Sequence, residues 1–193
     1  MNNLIRERKG MLILSLLVIL LPMGVGLFLW NQLPDQVPIH FGLNGQADNY
    51  AGKAFVVFGL PLLMAALQVL LLVVTMADPK GKNIAAKPFG LLLWICPLVS
   101  LFCGTMTYAK ALALPVDINL VGGLFLGLMF LVVGNYLPKC KQTYTVGIRL
   151  PWTLADEDNW AYTHRLAGKV WTIGGLVILV LTFLRLPVLQ FVV

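Results

Sequence analysis

GMLILSLLVILLPMGVGLFLWNQLP, residues 10–34, is a run of 25 residues without one charged side chain, and its length decides the fold class. A helix needs about 20 apolar residues to cross the hydrocarbon core of a bilayer. Three later charge-free runs also reach that length: 54–77, 88–109 and 118–138. A fifth, 170–184, has only 15 residues, but Lys169 and Arg185 flank it and can extend their charges to the interface, so that it too suffices. With 59% hydrophobic and 11% charged residues and a mean hydropathy of +0.86, the composition excludes a soluble globular protein. The expected architecture is all-α: a polytopic transmembrane helix bundle forming a single membrane domain over 1–193. Its five spans fall at about 11–32, 54–76, 88–111, 117–137 and 167–185, with a loop at 33–53, a loop at 138–166 and a short interfacial helix before the last span.

The basic residues orient the bundle. With the N-terminus in the cytoplasm, eleven lie inside (Arg6, Arg8, Lys9, Lys80, Lys82, Lys87, Lys139, Lys141, Arg149, Arg165 and Lys169) and three outside (Lys53, Lys110 and Arg185). The 138–169 segment then faces the cytoplasm and the C-terminus faces out. The net charge of +6 reads as this orientation signal and not as direct nucleic-acid binding. Arg6 to Lys9 followed by an apolar run has the outline of a signal peptide, but the run is too long and lacks a small-residue cleavage pair, so the segment is expected to stay attached.

The outer loop is framed by Pro34 and Pro38, which force extended backbone before them, and by the turn dipeptide Asn44-Gly45. A short strand, a turn and a return strand follow from that pattern. His40 sits in the middle of it. It has two readings: a titrating or ligand-contacting group, or a histidine that bonds its own loop and packs on Phe41 and Tyr50. Asp48, across the turn, is its expected partner.

The other polar segment, 135–171, holds 5 of the 14 Lys and Arg, 3 of the 5 Trp and one of the two His, a concentration that marks it as a surface for contact. Gly147 and Pro151 make its middle irregular. Thr153-Leu154-Ala155-Asp156 has capping-box form and predicts a helix start, with Asp156, Glu157 and Asp158 in the first turn, where the macrodipole favours them. Trp160, His164, Ala167 and Trp171 share one helix face, expected to ride at the lipid headgroups before the chain turns at Gly168 into the bilayer. Anchoring and partner recognition explain this face equally well.

Chemistry within the spans is sparse. Gly123 and Gly127 form a GxxxG that predicts close helix packing. Pro22, Pro61 and Pro97 are sites to kink or begin helices. Asp78 and Asp117 sit at span edges, so no carboxylate is placed deep enough for a proton-coupled pump or cation transporter. Cys96, Cys103 and Cys140 have neither CxxC spacing nor companion histidines and read as free thiols, and no metal or cofactor is called for. HExxH, GxSxG and P-loop motifs do not occur.

Two patterns carry a resemblance. One is Pro34-x-x-x-Pro38-x-His40-Phe41-Gly42-x-x-Gly45-x-x-Asp48. The other runs from Gly134-Asn135 and Pro138-Lys139 through Gly147-Ile148-Arg149-x-Pro151-Trp152-Thr153-Leu154 to Trp160-x-x-Thr163-His164-Arg165. Together they touch about a third of the chain and resemble the SdpI family of bacterial membrane proteins, whose members combine an N-terminal domain of unknown function with a C-terminal signature. Thr143 stands where that pattern has asparagine and Leu150 where it has threonine, and members commonly carry a sixth span.

The resemblance implies a bacterial cell-membrane protein giving resistance to a membrane-acting toxic peptide, without catalysis, with a cytoplasmic transcriptional repressor as a second partner to be recruited. Pro38, His40, Phe41, Gly45 and Asp48 would meet the peptide outside; Asn135, Arg149, Trp152, Trp160, His164 and Arg165 would form the inner partner face. The competing readings are a small transporter or channel gated by the two loops, and a membrane enzyme with His164 as base and Thr163 or Cys140 as nucleophile.

Overall fold

The computed structural model describes residues 6–42 and 45–185. Among them, five helices are long and apolar enough to cross a membrane, and the chain is a multi-pass membrane protein. Helix α1 spans Lys9–Phe28, and a hairpin of β1 (Gln36–Phe41) and β2 (Ala47–Gly52) follows. A π-helical turn, Phe55–Gly59, runs into α2 (Leu60–Met76). Next come α3 (Ala86–Ala111), α4 (Ile118–Tyr136), the short α5 (Pro151–Ala155) and α6 (Glu157–Phe183). The spans alternate in direction, so the hairpin lies at one end of the bundle and residues 137–156 at the other, beside the start of α1. At most 33% of any span window is buried inside the protein, which leaves most of the apolar surface for the bilayer.

Two of these elements differ from expectation. Helix α1 stops at Phe28 rather than 32, because Leu33 and Val37 leave the helix to pack with Val56, Val57 and Tyr108 in a core beneath the hairpin. Helix α6 begins at Glu157 and continues unbroken through Gly168, with no turn into the bilayer there. Gly168 instead permits a close crossing: a Cβ on it would lie 2.6 Å from Pro138 and 2.8 Å from the Gly134 carbonyl. The same logic governs the rest of the α4–α6 seam. A Cβ on Gly123 would strike the Thr182 side chain, and one on Gly127 would strike Leu179, so the GxxxG is a packing stripe.

The proline in α3 explains a buried glutamine. Pro97 has no N–H to give the carbonyl of Leu93, four residues back. Gln68, buried in α2, donates its Nε2 to that carbonyl at 3.3 Å. Around Pro22 of α1, Ser100 and Tyr108 donate their hydroxyls to the carbonyls of Ile19 and Pro22, each at 2.9 Å. Helices α1, α2 and α3 are thus joined by buried side chains that bond to backbone.

Candidate functional site

At the hairpin end the register pairs Pro38 with Tyr50, His40 with Asn49 and Phe41 with Ala47, with irregularities on both sides of His40. The Asn44 half of the expected turn dipeptide lies outside the described residues, but Gly45 has φ +72°, the left-handed conformation that glycine adopts freely. A Cβ there would sit 3.6 Å from the Asn119 side chain, so the tip leans over the start of α4. His40 Nδ1 and Asp48 Oδ1 are 2.5 Å apart. Both side chains face water, at 68% and 52% exposure, so His40 is not packed away on Phe41 and Tyr50. Beside the pair, a groove of about 300 Å³ runs between the hairpin and the end of α3 and is lined in part by Gln36, Pro38, Phe41, Gly45, Tyr50 and Lys110. Of the five hairpin residues picked from sequence, Pro38, Phe41 and Gly45 therefore line a groove, while His40 and Asp48 form an exposed pair.

The opposite end is a folded cap built around His164. The Ile148 N–H donates to His164 Nε2 at 2.9 Å, and Nδ1 lies 2.8 Å from the Trp160 carbonyl. Since Nε2 accepts, Nδ1 must carry the proton, and the ring is held neutral in one tautomer. His164 is 1% exposed and stacks on Trp160, itself 2% exposed, at 4.1 Å between ring centroids. The Trp160 indole N–H donates to the Cys140 carbonyl at 2.8 Å. This corrects the expectation of Trp and His at the lipid headgroups: the face they share is covered by the protein's own loop. Gly147 lets the loop come this close. Its φ is +126°, and a Cβ on it would meet His164 Nε2 and the Trp160 ring at 2.6 Å.

The start of α6 also differs. Asp156, extended at φ −140°, caps the helix by accepting the Asn159 N–H at 2.6 Å. Thr153 belongs instead to the separate turn α5 that Pro151 begins. Its buried hydroxyl accepts the Leu150 N–H at 2.9 Å and faces the Ile148 and Leu150 carbonyls. It stabilises the loop and not the helix start.

Four residues of this cap were not singled out as site residues in sequence, or were given another role. Asp78, placed at a span edge, is 8% exposed and accepts the Lys80 N–H, the Tyr144 N–H and the Thr145 hydroxyl, tying the α2–α3 connection to the cap. Gln142, buried, donates to the Thr153 and Leu154 carbonyls, while its Oε1 accepts from Lys80 and its own carbonyl from Asn83. Thr143, at the position where the family pattern has asparagine, both donates to the Val146 carbonyl and accepts its N–H. Gly147 does more than turn the chain, as above. The sequence signal for Asp78 and Gln142 was only a polar residue beside apolar spans, while Thr143 was marked by its departure from the family pattern.

The remaining residues expected on a partner face lie on the outside of this end of the protein. Trp152 is 56% exposed, and Arg149, reaching the Tyr144 carbonyl at 2.9 Å, is exposed as well. Arg165 and Asn135 are exposed, Asn135 accepting from Lys139. Burial pushes the Cys140 thiol up, away from the thiolate form, and its Sγ bonds the Tyr136 carbonyl. Among the described residues no group of three His, Cys, Asp or Glu gathers as a metal site.

The loops with this geometry are the regions that match known families. Residues 17–65 match a domain of unknown function, DUF1648, which takes in the hairpin, and residues 139–193 match the SdpI/YfhL protein family, which takes in the cap. The likeness to the SdpI/YfhL family itself thus lies in the C-terminal part of the chain, from Lys139 onward. The chain is also 28% identical over 175 residues to the Immunity protein SdpI of Bacillus subtilis (strain 168), covering 89% of this chain and 81% of that protein. No solved structure matches. The SdpI/YfhL match begins at Lys139, so the Trp160–His164 stack and the Gly147 that covers it all fall inside it.

Proposed function

We propose that this chain is a membrane immunity protein, protecting the cell that carries it from a membrane-acting toxic peptide. The observation that carries this reading is the 28% identity to an immunity protein, extended over 89% of the chain and so over both folded ends at once. The proposed orientation puts the hairpin outside, by the eleven-to-three distribution of basic residues. The peptide would meet the groove of Pro38, Phe41 and Gly45 and the exposed His40–Asp48 pair. The hairpin's prolines support this role, because a loop ordered in advance gives up little entropy when it binds.

On the inner side, Arg149, Trp152, Arg165 and Asn135 would form the surface that recruits a cytoplasmic repressor. Trp160 and His164 would serve it from beneath, by fixing the backbone that presents Arg149 and Trp152. Catalysis is not part of the proposal. A general base needs a free ring nitrogen, and both nitrogens of His164 are engaged with backbone. Thr163 bonds Asn159, and the Cys140 thiol is held protonated by burial.

The test is expression in toxin-sensitive cells, followed by toxin challenge at matched membrane abundance. Survival with the parent chain and killing with an empty vector is the expected result; killing in both would remove the reading. Orientation is tested separately by an impermeant thiol reagent, which should label a cysteine placed at Asn49 from outside and one placed at Asp158 only after the membrane is opened. Labelling of both from one side would overturn every role assigned by side.

A further inference from the structure

Two grooves meet at the hairpin end of α3. One is the polar groove already described, with Lys110 and Ala111 in its wall. The other, of about 210 Å³, opens between α1 and α3 and is walled by apolar side chains including Leu21, Val25, Leu101 and Leu112. Its floor is low because a close crossing forms it: a Cβ on Gly104 would lie 2.7 Å from Pro22. Ala109 and Leu112 line the apolar groove, and Lys110 and Ala111, between them in sequence, line the polar one. A single turn of helix thus separates a bilayer-facing trough from a water-facing pocket.

Among the described residues no carboxylate neutralises the charge at that junction. At this end Lys53 is paired with Asp35 at 3.0 Å, and Asp48 is taken by His40. Asp117 caps α4, accepting the Leu120 N–H. Lys110 lies against no described carboxylate. A ligand that fits must therefore carry an anionic head for the pocket and an apolar chain for the trough, joined over the length of one helical turn.

We propose that this junction is a binding site for an anionic phospholipid, with the phosphate at Lys110 and one acyl chain in the α1–α3 groove. Such a ligand is present at high concentration wherever the protein resides, and the apolar groove is reached laterally from the bilayer. A half-buried lysine at a membrane surface attracts anionic headgroups, and an adjoining trough converts that attraction into a defined site.

The experiment uses the full chain in vesicles of phosphatidylcholine with a minor fraction of phosphatidylglycerol, then gentle detergent extraction and native mass spectrometry to count retained lipids. The parent chain should retain one phosphatidylglycerol in preference to phosphatidylcholine. Lys110→Gln should lower that preference about fivefold, the effect of one basic residue near a membrane surface. Thr105→Phe, at an exposed position that lines the trough, should reduce retention of both lipids. Because Lys110 and Thr105 are not within the core, melting temperatures of both variants should stay at the parental value, which separates lost binding from lost folding. Retention that ignores headgroup charge, or that survives both substitutions, would overturn the proposal and leave ordinary annular lipid. Immunity does not enter the readout, so this site and the proposed function fail or stand separately.

Discussion

The two histidines of this chain lie at opposite ends of one bundle and are used in opposite ways. His40 is on a hairpin of two short strands, with its side chain 68% exposed and one bond to a neighbouring carboxylate. His164 is 1% exposed, stacked on a tryptophan, with both nitrogens bonded to backbone. An exposed pair in high dielectric contributes little to stability, while a buried group whose partner is removed leaves an uncompensated donor. The same residue type is therefore a solvent-facing side chain at one end and a structural hub at the other. Burial decides between them, and burial is a tertiary property.

The sharpest way to break that contrast is at Gly147. Gly147→Val imposes a β-branched side chain at φ +126° and drives it into His164 and Trp160. Backbone strain and overpacking, each of order 1–3 kcal/mol, act together there. The cap should come apart, read as rapid proteolysis within 140–156 and a large fall in membrane abundance, while a residue change at the hairpin leaves both untouched. Next in size is Asp78→Asn. Both carboxylate oxygens accept from donors, so the new amide group must face one of them, at a cost of about 1–3 kcal/mol. The melting temperature in detergent should drop, and Asp78→Glu, which keeps two acceptors, should recover part of the loss.

Smaller effects sharpen the comparison from the other side. Trp152→Ala removes a side chain that is 56% exposed, so stability should change by no more than about 0.5 kcal/mol. If the outer surface of the cap recruits a regulator, recruitment should fall at unchanged abundance. At the hairpin, His40→Gln keeps a donor and an acceptor without titrating, and His40→Ala removes both. Toxin protection kept by Gln and lost by Ala, with melting curves superimposed on the parent, is the expected result.

How much of this was legible in the sequence follows the range of the interactions. The five spans were readable because bilayer crossing is a one-dimensional property of length and charge. The hairpin was readable because Pro34, Pro38 and Gly45 dictate backbone locally, and the His40–Asp48 partnership needs only an eight-residue return. The end of α1 was misplaced by four residues, since Leu33 is as apolar as a span residue and is pulled away by Val37, Val56 and Tyr108, contacts that no local pattern reveals. At the cap, the helical spacing of Trp160 and His164 correctly put them on one face. What covers that face could not be read, because Gly147 and Ile148 reach it from a separate turn of the chain. Asp78 was the largest omission: its partners Tyr144 and Thr145 lie more than sixty residues away in sequence.

The central claim, that burial assigns these two histidines opposite duties, is tested most directly by the melting temperatures of purified His164→Ala and His40→Ala in the same detergent. Loss of His164 strands the Ile148 N–H and opens a cavity against Trp160, a cost of about 2–5 kcal/mol. At about 2–4 °C per kcal/mol for a chain of this size, His164→Ala should melt many degrees below the parent. His40→Ala should melt at the parental temperature. Equal shifts in the two variants, or a larger one for His40→Ala, would contradict the account.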